Sequence, residues 1–128
     1  MAKTDQSQIL SAEARTRQRD QAASELVRGL LIINGGGAAA LLAFLQAIWP
    51  SNRALAKPTI IALGIFSLGA ASAATFHYFR HEASWYHQSG DFKRYRKFEL
   101  LYRISAFVSL SAFVIGVIVV AVGAWNAL

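Results

Sequence analysis

Cysteine is absent from the 128 residues, so neither a disulfide framework nor thiolate chemistry is available. Charge is scarce: 16% of residues are charged, against ~25% in soluble domains. Residues 29–52, 58–79 and 104–128 hold no Asp, Glu, Lys or Arg, and each run is at least 22 residues long. These shortages exclude a disordered tail, a disulfide-stapled scaffold and an ordinary soluble enzyme. A net charge of +6 and a pI near 10.2 would point to nucleic acid in a polar chain. Here 55% of residues are hydrophobic, which points to lipid and away from a nucleic-acid partner.

A helix rises 1.5 Å per residue and the hydrocarbon layer is ~30 Å thick, so ~20 apolar residues cross it. Each uncharged run qualifies. The expected fold is therefore all-α, an integral membrane bundle of three transmembrane helices over about 27–49, 58–80 and 102–126. A chain this short cannot wrap three such helices in its own core. Membrane strands need alternating apolar and polar positions, which 35–45 and 114–122 lack. Only helices satisfy every backbone group within their own segment in lipid.

Lysine and arginine set the expected orientation. Five precede the first run, two (Arg53, Lys57) follow it, six lie between the second and third, and none follows the last. That alternation obeys the positive-inside rule. It places the N-terminus and second connection in the cytoplasm and the C-terminus outside; the composition suits a bacterial inner membrane, which puts that C-terminus in the periplasm. Trp49, Tyr78, Tyr102 and Trp125 fall near span ends, where amphipathic rings favour the headgroup layer. About 28 mostly polar residues precede the first apolar run, too many for a cleaved signal peptide.

Two domains are expected, a polar cytoplasmic N-terminal helix over 1–25 and the membrane domain over 26–128. Residues 7–25 lack Pro and Gly, and Glu13 stands four before Arg17, the favourable order for a helical ion pair. Pro58 suits the first turn of the second helix. Ser89-Gly90-Asp91 is the turn signal between Arg80 and Arg103, and Asp91 can cap the helix that follows. The second and third helices should thus extend ~15 Å beyond the bilayer as a cytoplasmic hairpin. Phe92, Tyr95, Phe98 and Tyr102 share one side of it, and Lys93, Arg94, Arg96 and Lys97 occupy the rest. Those four cations are the expected contact with anionic lipid headgroups, at about 1 kcal/mol each.

Small residues form the strongest pattern after the spans. Ser105, Ser109, Ala112, Gly116, Val119 and Gly123 make one seam on the third span. In lipid the hydrophobic effect does not drive helices together, so close approach and dispersion must. On the first span Gly35, Ala38, Ala39, Leu42 and Gln46 share a side, and on the second Gly64, Ser67, Ala71 and Thr75 do. One small face per helix is what a three-helix bundle needs. Remaining small faces leave surface for a homo-oligomer or a larger membrane complex.

Polar groups inside the runs are few: Asn34 and Gln46 can bond across helices for roughly 0.6–2 kcal/mol. No ionisable residue stands in a central span, which disfavours an ion-coupled transporter. His77 and His81, four apart, form a candidate metal or haem pair, with no third ligand in evidence; no cofactor is expected. The seven acids show no pairing, and Gly35-Gly36-Gly37 lacks the Lys-Ser/Thr of a phosphate loop. No enzyme is expected.

Asn34 to Leu45, N-G-G-G-A-A-A-L-L-A-F-L, resembles the N-G-G-A-x-x-A-L-L-A-F-L first span of small uncharacterised bacterial inner-membrane proteins. The likeness extends loosely over three spans and an aromatic-basic turn before the last. Gly37 and the extended hairpin depart from it. It implies location and fold, with no functional residues to carry over. The leading expectation is a non-enzymatic scaffold or accessory subunit. The alternatives are a homo-oligomeric pore or membrane-perturbing effector in stress or phage defence, and a haem- or metal-binding anchor in electron transfer.

Overall fold

The computed structural model describes the backbone of residues 2–50 and 52–127, and the side chains of 14, 15, 18, 20–50 and 52–127. It contains three helices, α1 (Ala2–Ile48), α2 (Arg53–Gln88) and α3 (Phe92–Trp125). Each holds a stretch long and apolar enough to cross a membrane, the architecture of a multi-pass membrane protein. Among the described residues there is no strand.

The first helix runs unbroken from its polar start through the apolar run. The helix is continuous over Ala2–Ile48, and Gly35-Gly36-Gly37 does not interrupt it. Glycine's helix cost of ~1 kcal/mol against Ala applies in water; in lipid any other conformation strands backbone groups at several kcal/mol each. The side chains of Glu13 and Arg17 lie outside the described residues.

The second helix begins five residues ahead of Pro58. Asn52 caps it, its side-chain oxygen accepting from the amides of Ala54 at 3.2 Å and Leu55 at 3.4 Å. Pro58 therefore sits inside the helix rather than in its first turn. It removes one intrahelical bond, and beside it the Thr59 hydroxyl donates to the Leu55 carbonyl at 2.7 Å.

The turn into α3 is built as the sequence demands. Gly90 takes φ +78°, a left-handed conformation that only a residue without Cβ adopts cheaply. Its amide donates to the His87 carbonyl at 3.3 Å and that of Asp91 to Tyr86 at 3.1 Å, the paired bonds of a Schellman motif. One residue on, the Asp91 carboxylate caps α3 by accepting from the Arg94 amide at 3.1 Å.

Helix α2 is central, packed along α3 and against α1, whereas α1 and α3 touch little. Nearest the hairpin, Val27 and Leu30 of α1 meet Ala73 and Phe76 of α2, with Tyr102 and Ala106 of α3 beside them. The rings of Phe76 and Tyr102 stand edge to face at 5.4 Å. One layer further, Asn34, Gly69, Ser109 and Ala112 converge. Beyond that the Phe66 ring lies between Gly37 and Gly116 and edge-on to Phe113 at 6.0 Å. Towards the α1–α2 turn Pro58 packs against Gly123.

Large apolar side chains such as Ile33, Leu68, Phe107 and Ile118 are exposed on all three helices. Monomeric soluble proteins rarely expose apolar patches beyond a few hundred Å². Lipid solvates such a surface at no cost.

Candidate functional site: the small-residue faces and the basic hairpin

The third-helix seam lies inward over most of its length. Ser105, Ser109, Ala112 and Gly116 are buried against α2, and Gly123 is half-buried on Pro58. A Cβ on Gly116 would come within 2.7 Å of the Phe66 ring, and one on Gly37 within 2.9 Å of its other side. The helices approach through this ring because both flanking positions lack side chains.

The other two small faces lie elsewhere. On α2 the inward face is Ala62, Phe66, Gly69, Ala73 and Phe76. Gly64 has no neighbour within 4 Å, and Ser67, Ala71 and Thr75 are exposed. On α1 Ala39 is exposed and Gly35 half-buried with nothing near its Cα hydrogen side. The inward residues of α1 are Val27, Leu30, Asn34 and Gly37 instead. The physical reason is that Phe66 and Phe76 fill more space between helices than a row of small residues, and the glycines they need are Gly37 and Gly116. An aromatic–glycine pairing across helices carries no periodic signature in one helix read alone, so spacing does not distinguish Phe66, Phe76 and Gly69.

Asn34 is fully buried. Its amide nitrogen donates to the Ser109 carbonyl at 3.1 Å and to the Ser109 hydroxyl at 3.0 Å. Its carbonyl oxygen is buried without a hydrogen-bond partner and faces the Gly69 backbone, where a Cβ would come within 2.7 Å. This is the one polar tie between α1 and α3 among the described membrane-level residues.

In the hairpin the aromatic side faces α2 rather than lipid. Phe98 stacks on Tyr86 with ring centres 5.3 Å apart and planes 12° from parallel, and Tyr95 meets His87 at 5.0 Å. Phe92 is exposed, its ring centre 6.1 Å from that of His87 in an edge-to-face arrangement. Lys93, Arg94, Arg96 and Lys97 are all exposed. Arg94 reaches Asp91 at 3.3 Å and lies over the Tyr86 ring at 5.4 Å. Beneath them Arg103 and Glu99 pair at 2.7 Å, one helical turn apart.

A polar cleft of about 410 Å³ opens between α1 and α2 beside the hairpin, lined by Asp20, His77, Arg80, His81 and Ser84. Arg80 spans it, donating to the Asp20 carbonyl at 3.0 Å and pairing with its carboxylate at 3.5 Å. His77 and His81 are both exposed on α2. Among the described residues no three His, Cys, Asp or Glu side chains converge closely enough to hold a metal ion.

No family model, curated protein or solved structure matches this chain.

Proposed function

We propose that the protein is a non-enzymatic scaffold or accessory subunit of a bacterial inner membrane, assembling laterally through small-residue helix faces. The observation that carries this reading is the α2 surface formed by Gly64, Ser67, Ala71 and Ala74, all exposed at a 3, 4, 3 spacing. Its own bundle is already packed through the adjacent face of α2, so this seam serves nothing within the chain. A second such row, Gly36, Ala40, Ala43 and Ala47, is exposed on α1. Small residues facing lipid gain little there, but they let another helix approach to close backbone distance.

The positive-inside count supports an N-terminus and hairpin on the cytoplasmic side. In that orientation Lys93, Arg94, Arg96 and Lys97 stand where an anionic leaflet attracts them. The hairpin then presents charge to lipid headgroups or a cytoplasmic partner while its aromatic residues hold it rigid.

Self-association is tested by counting copies per vesicle by single-molecule photobleaching after dilution into liposomes. Gly64→Ile and Ala71→Ile should each reduce a multimer to monomers, while Leu68→Ile should not. A monomer in the parent protein, or a multimer indifferent to both changes, overturns the reading. Ion leakage from the same liposomes would replace the scaffold with a pore. A reporter fused after Leu128 should be active in the periplasm.

A further inference from the structure

We infer that the end of the bundle opposite the hairpin holds a specific site for one anionic diacyl phospholipid, with its headgroup on Arg53 and Lys57. This inference rests on the three-span fold and not on lateral assembly. Two apolar grooves meet there. One, about 520 Å³, runs between α2 and α3 along Pro58, Ile61, Ile118, Val122 and Gly123. The other, about 540 Å³, runs from Trp49 along Ala56, Ile60 and Ile61. Both volumes fall within the range of ~300–1,000 Å³ typical of ligand clefts.

Lys57 and Ile61 line both grooves. Four residues apart, they form a single ridge on α2, with one groove on each side. Arg53, one turn before Lys57, stands at the head of the second groove, and the Asn126 amide stands at the rim of the first. Two apolar channels that converge on one pair of cations match a molecule with two hydrocarbon chains and one anionic head. The cations at the head of the ridge, Arg53 and Lys57, are what favour an anionic lipid over an apolar partner helix.

The charge balance is equally one-sided. Among the described residues the ion pairs Arg80–Asp20, Arg94–Asp91 and Arg103–Glu99 all belong to the hairpin half. The acidic residue nearest to Lys57 along α2 is Glu82, about 37 Å away at the helical rise. Arg53 and Lys57 are both exposed, with no Asp or Glu on their side of the bilayer. A phosphate supplies the missing counter-charge, and the ridge sends its two chains into separate grooves.

Trp49, in the wall of the second groove, provides the readout. Full-length protein carrying Trp85→Phe and Trp125→Phe keeps Trp49 as its sole tryptophan. In mixed micelles, phosphatidylglycerol with brominated acyl chains should quench Trp49 at a mole fraction on the order of tenfold below that needed for brominated phosphatidylcholine. The double change R53Q/K57Q should abolish that preference. The quadruple change K93Q/R94Q/R96Q/K97Q, which removes more charge from the other end, should leave it intact. Equal quenching by the two lipids, or a preference that survives R53Q/K57Q, overturns the site. Quenching by neither lipid also overturns it, because no acyl chain then reaches the groove beside Trp49.

Discussion

The side chain of Asn34 and the hydroxyl of Ser109 lie 3.0 Å apart across a chain separation of 75 residues. Through this contact the first helix is tied to the third, past the second. The Asn34 amide makes a further bond to the Ser109 carbonyl, which no substitution at 109 removes. Ser109→Ala should therefore cost less than Asn34→Ala. We expect about 0.6 kcal/mol for the former and about 1–2 kcal/mol for the latter, read from steric-trap unfolding in bicelles. A double-mutant cycle should return most of the smaller value as coupling. Zero coupling would show that the bond contributes nothing to holding α1.

Glycine substitutions should divide by neighbour. Gly69→Ala places a methyl group 2.7 Å from the Asn34 oxygen and 2.9 Å from the Ala112 methyl. Overpacking of that kind costs about 1–3 kcal/mol. At Gly64 nothing lies within 4 Å, so Gly64→Ala should be neutral or stabilise the isolated chain by up to about 1 kcal/mol. The comparison is made by unfolding at high dilution, where assembly does not contribute. Equal effects at 64 and 69 would contradict the assigned faces of α2.

The hairpin turn makes its own prediction. Gly90→Ala forces a Cβ into the left-handed region, at a cost of about 1–2 kcal/mol, while Gly90→Asn should cost less. Asp91→Ala removes the α3 cap and should cost about 1 kcal/mol. Thermal melts followed by circular dichroism in detergent would rank the three. A Gly90→Ala protein as stable as the parent would mean the turn adopts another geometry.

The Arg80–Asp20 pair is largely solvated on its acidic side. Asp20→Asn should change stability by less than about 1 kcal/mol, and the change should fade with salt. Arg80→Ala should do more, since it also removes the bond to the Asp20 carbonyl. Amide exchange near residue 20 is the sensitive measurement. Protection unchanged in Arg80→Ala would show that the contact does not fasten the polar part of α1 to α2.

Much of this architecture is legible in the sequence because it depends on length and on chain-local chemistry. Three uncharged runs specify three helices. Ser89-Gly90-Asp91 specifies a turn and a cap, and the small residues from Ser105 to Gly116 mark the packed side of α3. The orientation of α2 is not legible. In water a core-facing stripe is recognised by its apolarity, but on a lipid-facing helix both sides are apolar and that contrast is absent. Gly64 and Gly69 are the same residue type on the same helix, and only the position of Phe66 and Asn34 distinguishes them. The start of α2 is a smaller case: Pro58 competes with the Asn52 cap for the N-terminus, and the cap's two hydrogen bonds prevail.

The unbroken course of α1 has a mechanical consequence. At 47 residues it is about 70 Å long, more than twice the ~30 Å depth of hydrocarbon. Roughly half of this rod stands clear of the bilayer without a hinge. A sideways force on its tip is not absorbed at the membrane surface. It levers the buried half, so whatever grips the far end can tilt the first span within the leaflet.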